Sequence, residues 1–284
     1  MGPHRQGELM RRHLPSLAVW LVLLCALSGC GQTGTKGSAA KPESGLARVQ
    51  HAGVLLWGAD VVGGVPYVYE DPNRPGAYIG FEMEIARAIA ADLGVQLKLV
   101  IKPWDTLIPE LQRGSYDMAM NGIENTEERS EIVLYSEPYF VYSQQLTVRK
   151  ATSGVTSLAD LSGHKVGTLS GTAAEDLLRQ TPGIQVVTNP EIIYSYRDLE
   201  EKRIDAVLLD TPIAAAYGAT NPALKNVGDS FSEGRYVIAF RKNDADLRDA
   251  INASIDRLKK NGRLKMIYEK YGIMDDHQHQ LGIL

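Results

Sequence analysis

From Val54 onward the chain alternates two hydrophobic rhythms: short β-branched runs, and stretches in which apolar residues recur every three or four positions. "VLLWGAD", "VQLKLVI", "YDMAMNG", "QLTVRK", "HKVGTLSG", "IQVVTN", "RIDAVLLD" and "YVIAFRK" read as strands. Between them "GFEMEIARAIAADLG" sets Phe81, Ile85, Ile89 and Leu93 on one face and closes on Gly94, the pattern of an amphipathic helix with a glycine stop. "DTLIPELQRG", "TAAEDLLRQ" and "TPIAAAYGA" predict shorter helices, and a long helical stretch runs from about Asp246 to Tyr271 with a break near "NGR". Strands alternating with helices predict an α/β fold with largely parallel sheets.

One unit occurs twice. "LQRGSYDMAMN" and "LEEKRIDAVLLD" each carry a helix end, an aspartate six residues after the leucine, and a buried strand ending on a polar residue. Two lobes built on such units put Asn121, Gly122 and Asp210 at the carboxyl ends of strands, where open α/β sheets bind ligands. Other helix-to-strand connections look similar, so the repeat supports two lobes without requiring them.

The opening residues follow neither rhythm. Arg5, Arg11 and Arg12 precede "LPSLAVWLVLLCAL", an apolar run too short for a comfortable membrane span and suited to the core of a secretory signal. It ends in "LSGC", which is similar to a bacterial lipobox, with Cys30 as the residue to be lipidated. "GQTGTKGSAAKPESG" follows as a low-complexity tether. The expected division is a lipoprotein signal peptide over 1–29 and a flexible tether over 30–47, with an exported, lipid-anchored, monomeric domain beyond. Cys25 leaves with the signal, so no disulfide holds that domain. Of the chain's 30 basic and 34 acidic side chains, residues 1–29 carry three arginines and one glutamate, which leaves 27 against 33 and a formal charge of −6. Such a surface argues against nucleic acid as a partner.

Few residues carry a chemical signal. Arg129 offers a planar fork suited to a carboxylate, and the turn Gly171–Thr172–Ala173 opens a helix whose amides attract anions. Two lobes facing each other would let both grip one carboxylate. Asp210 and Glu124 lie at strand ends where desolvation is costly without a cation, an ammonium group being sufficient reason for both, although a solvated strand end would explain either one. Tyr67, Trp104 and Tyr139 stand beside prolines in loops, as candidate cleft walls or as packing. Nothing suggests a catalytic centre, and there is no metal-ligand spacing and no phosphate or dinucleotide motif, so no cofactor is expected; "HQH" near Asp276 reads as a disordered tail.

The order of "GADVVGGVPYVYED", "GFEMEIARAIAADLG", "WDTLIPELQRGSYDMAMNGIENTEERSEIVLYSEPYF", "LADLSGHKVGTLSGTAAEDLL", "RIDAVLLDTPIAA" and "LKKNGRLKMIYEKYGI" resembles the polar amino-acid solute-binding proteins that feed ABC importers. The likeness spans about Val54 to Ile273. It implies a type II periplasmic-binding-protein fold: two lobes joined by two hinge strands, closing on a free amino acid and docking on a permease. Lobe 1 would comprise 48–144 and 238–284, lobe 2 145–237, with the hinge near "SQQLTVRK" and "EGRYVIAF". By resemblance Arg129 and the amide after Thr172 bind the ligand α-carboxylate, Asp210 holds its ammonium, and Asp60 and Trp104 meet its side chain. Three features depart from the family: Glu124 stands where Ser or Thr is usual, Ala173 replaces a threonine, and Tyr67 is displaced by the longer "VVGGVP".

Asp60, Glu124 and Asp210 against Arg129 leave the expected cleft negative by two, which favours a basic or polar uncharged amino acid. Glu124 could instead pair with Arg129 in an open form, or share a proton with Asp210. Two other readings stay open. One is an enzyme on this fold, a cyclic-acid dehydratase with Glu124 or Glu175 as general acid; the other is a ligand-sensing domain.

Overall fold

The computed structural model describes residues 43–62 and 64–284. The stretch expected to be a signal peptide, Cys30 and most of the expected tether lie outside the described residues. The chain begins with α1 (Gly45–Ala52), capped by the Ser44 side chain, so a helix starts inside the stretch read as tether. Next come β1 (Val54–Ala59), the small hairpin β2 (Tyr69–Glu70) and β3 (Tyr78–Ile79), α2 (Phe81–Asp92), β4 (Gln96–Ile101) and α3 (Leu107–Gln112). The segment around Glu124 and Arg129 holds β5 (Met118–Ala119), α4 (Glu127–Ser130) and β6 (Leu134–Tyr135). Then follow β7 (Phe140–Arg149), β8 (Lys165–Leu169), α5 (Ala173–Gln180), β9 (Gln185–Asn189), α6 (Ile192–Glu200), β10 (Ala206–Asp210) and α7 (Thr211–Ile213), the last continued by one π-helical turn. The chain closes with β11 (Leu224–Tyr236), β12 (Ala239–Phe240), α8 (Ala245–Lys260) and α9 (Arg263–Lys270).

Two five-stranded sheets result, ordered β4-β1-β5-β12-β6 and β11-β7-β10-β8-β9. Each has a parallel side and an antiparallel side. The β4-β1-β5 and β10-β8-β9 sides are parallel, while β12, β6, β7 and β11 run antiparallel to their neighbours. The reason is connectivity: the chain passes between sheets from β6 to β7 and back from β11 to β12, and the two crossing strands pair with each other antiparallel. "YVIAFRK" is accordingly split, Tyr236 ending β11 and Ala239 opening β12.

The core follows the hydrophobic pattern. Phe81, Ile85 and Ile89 of α2 are fully buried, and α2 packs on β1, β4, α8 and α9. In the other lobe α5 and α6 pack on β8, β9 and β10. An aromatic seam runs through the crossing, where Tyr236 stacks on Tyr142 at 4.6 Å and on Phe140 at 5.6 Å between ring centroids. Gly234 is required beside it, because a Cβ there would lie 2.3 Å from the Tyr142 ring.

The residues around "HQH" are no disordered tail. Asp276–Leu281 form a 3₁₀ helix, and Gln278 is fully buried, its side chain accepting from the Val141 amide (3.0 Å) and donating to the Val141 carbonyl (2.9 Å).

A closed cavity at four strand ends

The cavity lies where β1, β5, β8 and β10 end. Asp60 follows β1; its amide donates to Asn121 Oδ1 (2.9 Å), and its carboxylate accepts from the Val62 and Trp104 amides (2.8 and 3.3 Å). Burial raises its pKa from the ordinary carboxylate value, with these amides working the other way. After β5 the chain turns at Gly122 in the left-handed region (φ 64°), with the Tyr67 ring too close for a Cβ. The Gly122 amide donates to Glu82 Oε1 (2.7 Å), which also accepts from the Tyr139 hydroxyl (2.5 Å). Burial pushes the Glu82 carboxyl up to about 8.

Beyond Gly122, Thr126 caps the short helix α4, its hydroxyl accepting from the Arg129 amide, and this turn folds Arg129 back on Glu124. Arg129 Nη1 donates to Glu124 Oε2 (2.7 Å) and to the Glu124 carbonyl (3.1 Å). In the second lobe Gly171 adopts φ 72° and the Thr172 side chain caps α5, accepting from the Glu175 amide (3.3 Å). The Ala173 amide then donates to Glu124 Oε1 (3.0 Å), and Arg129 Nη2 donates to the Gly171 carbonyl (2.5 Å). Trp104 Nε1 donates to the Ser170 carbonyl at 3.1 Å, and the Arg129 guanidinium lies 5.7 Å from the Trp104 ring centroid. Three hydrogen bonds therefore join the lobes across the cleft, and the structure is closed.

At the floor, Asp210 Oδ1 accepts from Gln144 Nε2 (2.7 Å) and Oδ2 from the Tyr236 hydroxyl (2.5 Å), whose oxygen lies 2.7 Å from that of Tyr67. Burial, then the charge of Glu124, pushes the Asp210 carboxyl up to about 8 against the Tyr236 and Gln144 hydrogen bonds. The walls are Val62, Leu169, Ile192, Leu209 and Ile213 with the rings of Tyr67 and Trp104. Two lobes shut over a cavity with carboxylates at its polar points have the geometry of a trap for a small solute. The description "Bacterial extracellular solute-binding proteins, family 3" matches residues 61–274.

The chain belongs to this family.

Among curated relatives, the L-cystine-binding protein TcyJ of Escherichia coli (strain K12) is 34% identical over 232 residues, 81% of this chain and 86% of that protein. The L-arginine-binding protein of Pseudomonas aeruginosa is 31% identical over 223 residues, covering 74% and 85%. A mutant ArgBP from T. maritima superposes with a TM-score of 0.76 at 34% identity, covering 81% of this chain and all of that one. The ancestral amino acid-binding protein AncCDT-1, a precursor of cyclohexadienyl dehydratase, gives 0.75 at 32% identity, covering 80% and 99%. The two-lobed type II periplasmic-binding-protein fold follows from these likenesses together with the two sheets.

In this solute-binding protein, Asp60, Tyr67, Trp104, Asn121, Gly122, Glu124, Thr172 and Asp210 all line the cavity. Arg129 and Gly171 do not; they line a neighbouring groove with Ile108 and Ile132, on the far side of Glu124. Glu124 pairs with Arg129 while the cleft is closed, not open. Tyr139 is core rather than cleft wall, buried with its hydroxyl on Glu82. Glu175 turns away from the cavity, bonded to the Gly171 amide and to Arg179. Sequence reasoning missed Gln144, Tyr236 and Glu82 as partners of the site. The one available signal was for Tyr236, a tyrosine at the head of the apolar run that crosses between lobes.

Proposed function

We propose that the protein is an exported substrate-binding lipoprotein, anchored through lipid on Cys30, that captures a solute of the amino-acid class between its lobes and delivers it to an ABC importer. Basic or polar uncharged solutes are favoured over acidic ones. The observation that carries this reading is the charge of the closed cavity: its walls include Asp60, Glu124 and Asp210 and, among the described residues, no lysine, arginine or histidine. A cation entering there meets Asp60 and Asp210, buried carboxyl groups that hydrogen bonds satisfy but that no basic side chain on the wall offsets. Binding would draw on Asp210 and Asp60 for cationic groups, on Asn121, Gly122 and Thr172 for polar contacts, and on Tyr67 and Trp104 for stacking. Closure would be stabilised by the ligand's preference for the closed form. Names of relatives that bind cystine and arginine fit this reading.

The test is a thermal-shift screen of the purified protein against the twenty amino acids, polyamines and cyclic carboxylic acids, since a ligand that binds only the folded state raises its melting temperature. Stabilisation by a narrow nitrogen-bearing class, with the ligand recovered unchanged, is the expected result. Turnover of a cyclic acid would replace binding by catalysis, and no shift at all would remove the solute-binding role.

A further inference from the structure

The part of the site that would take a carboxylate is already full. Arg129 spends Nη1 on Glu124 and Nη2 on the Gly171 carbonyl, and the Ala173 amide at the head of α5 points to the other oxygen of the same glutamate. Glu124 is only 2% exposed and stands between Arg129 and the cavity, so the guanidinium reaches a different groove. The chain thus presents its own carboxylate to a two-sided anion grip. What remains to recognise a ligand is acidic at Asp60 and Asp210, polar at Asn121 and Thr172, and largely aliphatic or aromatic elsewhere.

We infer that the solute this cavity takes is a small organic cation without a free carboxylate, an amine or guanidine on an aliphatic or aromatic body. The inference rests on the solute-binding reading and moves its ligand from the amino acids to their decarboxylated counterparts. A ligand carboxylate would have two options. It could lie in the cavity beside the carboxyl groups of Asp60, Glu124 and Asp210, with no lysine, arginine or histidine on the wall to meet it. Otherwise it would have to displace Glu124, a group tethered through the chain at an effective concentration of roughly millimolar or above, against which a ligand at micromolar concentration competes poorly. Displaced, Glu124 would lose both its bonds to Arg129 and to the second lobe. An amine faces neither obstacle. It leaves the grip intact, its charge meets Asp210 and Asp60, and its hydrocarbon part meets Leu169, Ile192, Leu209 and the Tyr67 and Trp104 rings.

The experiment is calorimetric titration of the full chain with matched pairs that differ only by the carboxylate: arginine and agmatine, lysine and cadaverine, tyrosine and tyramine. In at least one pair the amine is expected to bind ten-fold or more tightly than its parent amino acid. In Glu124→Ser, which frees Arg129 and the Ala173 amide, that ratio should fall by ten-fold or more through a gain for the parent. Parent amino acids binding more tightly than their amines in the wild type overturn this inference alone and leave the solute-binding role intact. A ratio unchanged in Glu124→Ser likewise overturns it. No binding by either member of any pair, nor by any amino acid in the thermal screen, overturns the role itself and this inference with it.

Discussion

Asp210 has both carboxylate oxygens engaged, and burial still raises its pKa to about 8, so in the empty cavity near neutrality it is held largely in its protonated form. A cation binds the ionised form. Binding therefore releases a proton, and affinity for a cationic ligand should rise with pH until about 8 and level off above it. Titrations in buffers of different ionisation enthalpy will detect the released proton, and Asp210→Asn should abolish it while weakening the cation about 100-fold, in line with losing a buried charge pair. Affinity independent of pH would mean that Asp210 does not meet the ligand's charge. Arg129→Ala is expected to cost about 3 kcal/mol of stability, read by chemical denaturation, since it strips a cation from the buried Glu124. At this scale the sequence was informative about which charges gather and silent about their pairing. Arg129 and Glu124 were visibly five residues apart, yet whether Arg129 faces a ligand or its own neighbour depends on the Thr126 cap and on the Ala173 amide from the other lobe.

Elements with a clean period were legible and irregular ones were not. Helix α2 and strands β1, β4, β8, β9 and β10 fall where their apolar repeats put them, because each buries one face against its own lobe. Strand β11 escaped notice. Its thirteen residues include Gly228, Asp229, Ser230, Ser232, Glu233 and Gly234, and its pairing with β7 shifts register twice, so no period of two survives. The carboxyl-terminal 3₁₀ helix was missed for a different reason: what orders it is one glutamine bonded to a distant backbone, a contact that leaves no local pattern. Gln278→Ala should destabilise the protein by about 2 kcal/mol, because it strands the buried amide and carbonyl of Val141. The Gly122 turn is similarly constrained, and Gly122→Ala should cost about 1–2 kcal/mol from its positive φ alone, with further loss from the Tyr67 ring; both are read as shifts of the denaturation midpoint.

For the whole molecule, two buried acids set how stability depends on pH. Burial raises the folded-state pKa values of Glu82 and Asp210 to about 8, from the ordinary carboxyl values of 4.5 and 3.8, so the folded protein holds their protons more tightly than the unfolded chain. Their contribution is fully present below those ordinary values and is lost as pH rises through about 8. The empty protein should thus unfold more readily at mildly alkaline pH, and Glu82→Gln, which cannot ionise, should flatten that trend in denaturation curves. The two-lobed arrangement was readable from the repeated unit and the strand order, whereas the closed state was not, since it depends on three hydrogen bonds between residues far apart in the chain. The carboxyl-terminal segment has a consequence for how such a molecule opens. Besides the clasp of Gln278 on β7, Gln280 bonds Arg235 (2.5 Å) and Glu233 (3.0 Å) on β11, with His277 3.2 Å from Glu233. This segment thus straps both connecting strands, β7 and β11, making a third support beside the two crossings. Two ribbons alone can twist as well as bend; with the strap fastened, opening is confined towards a single swing, and trimming the last residues would turn a door into a swivel.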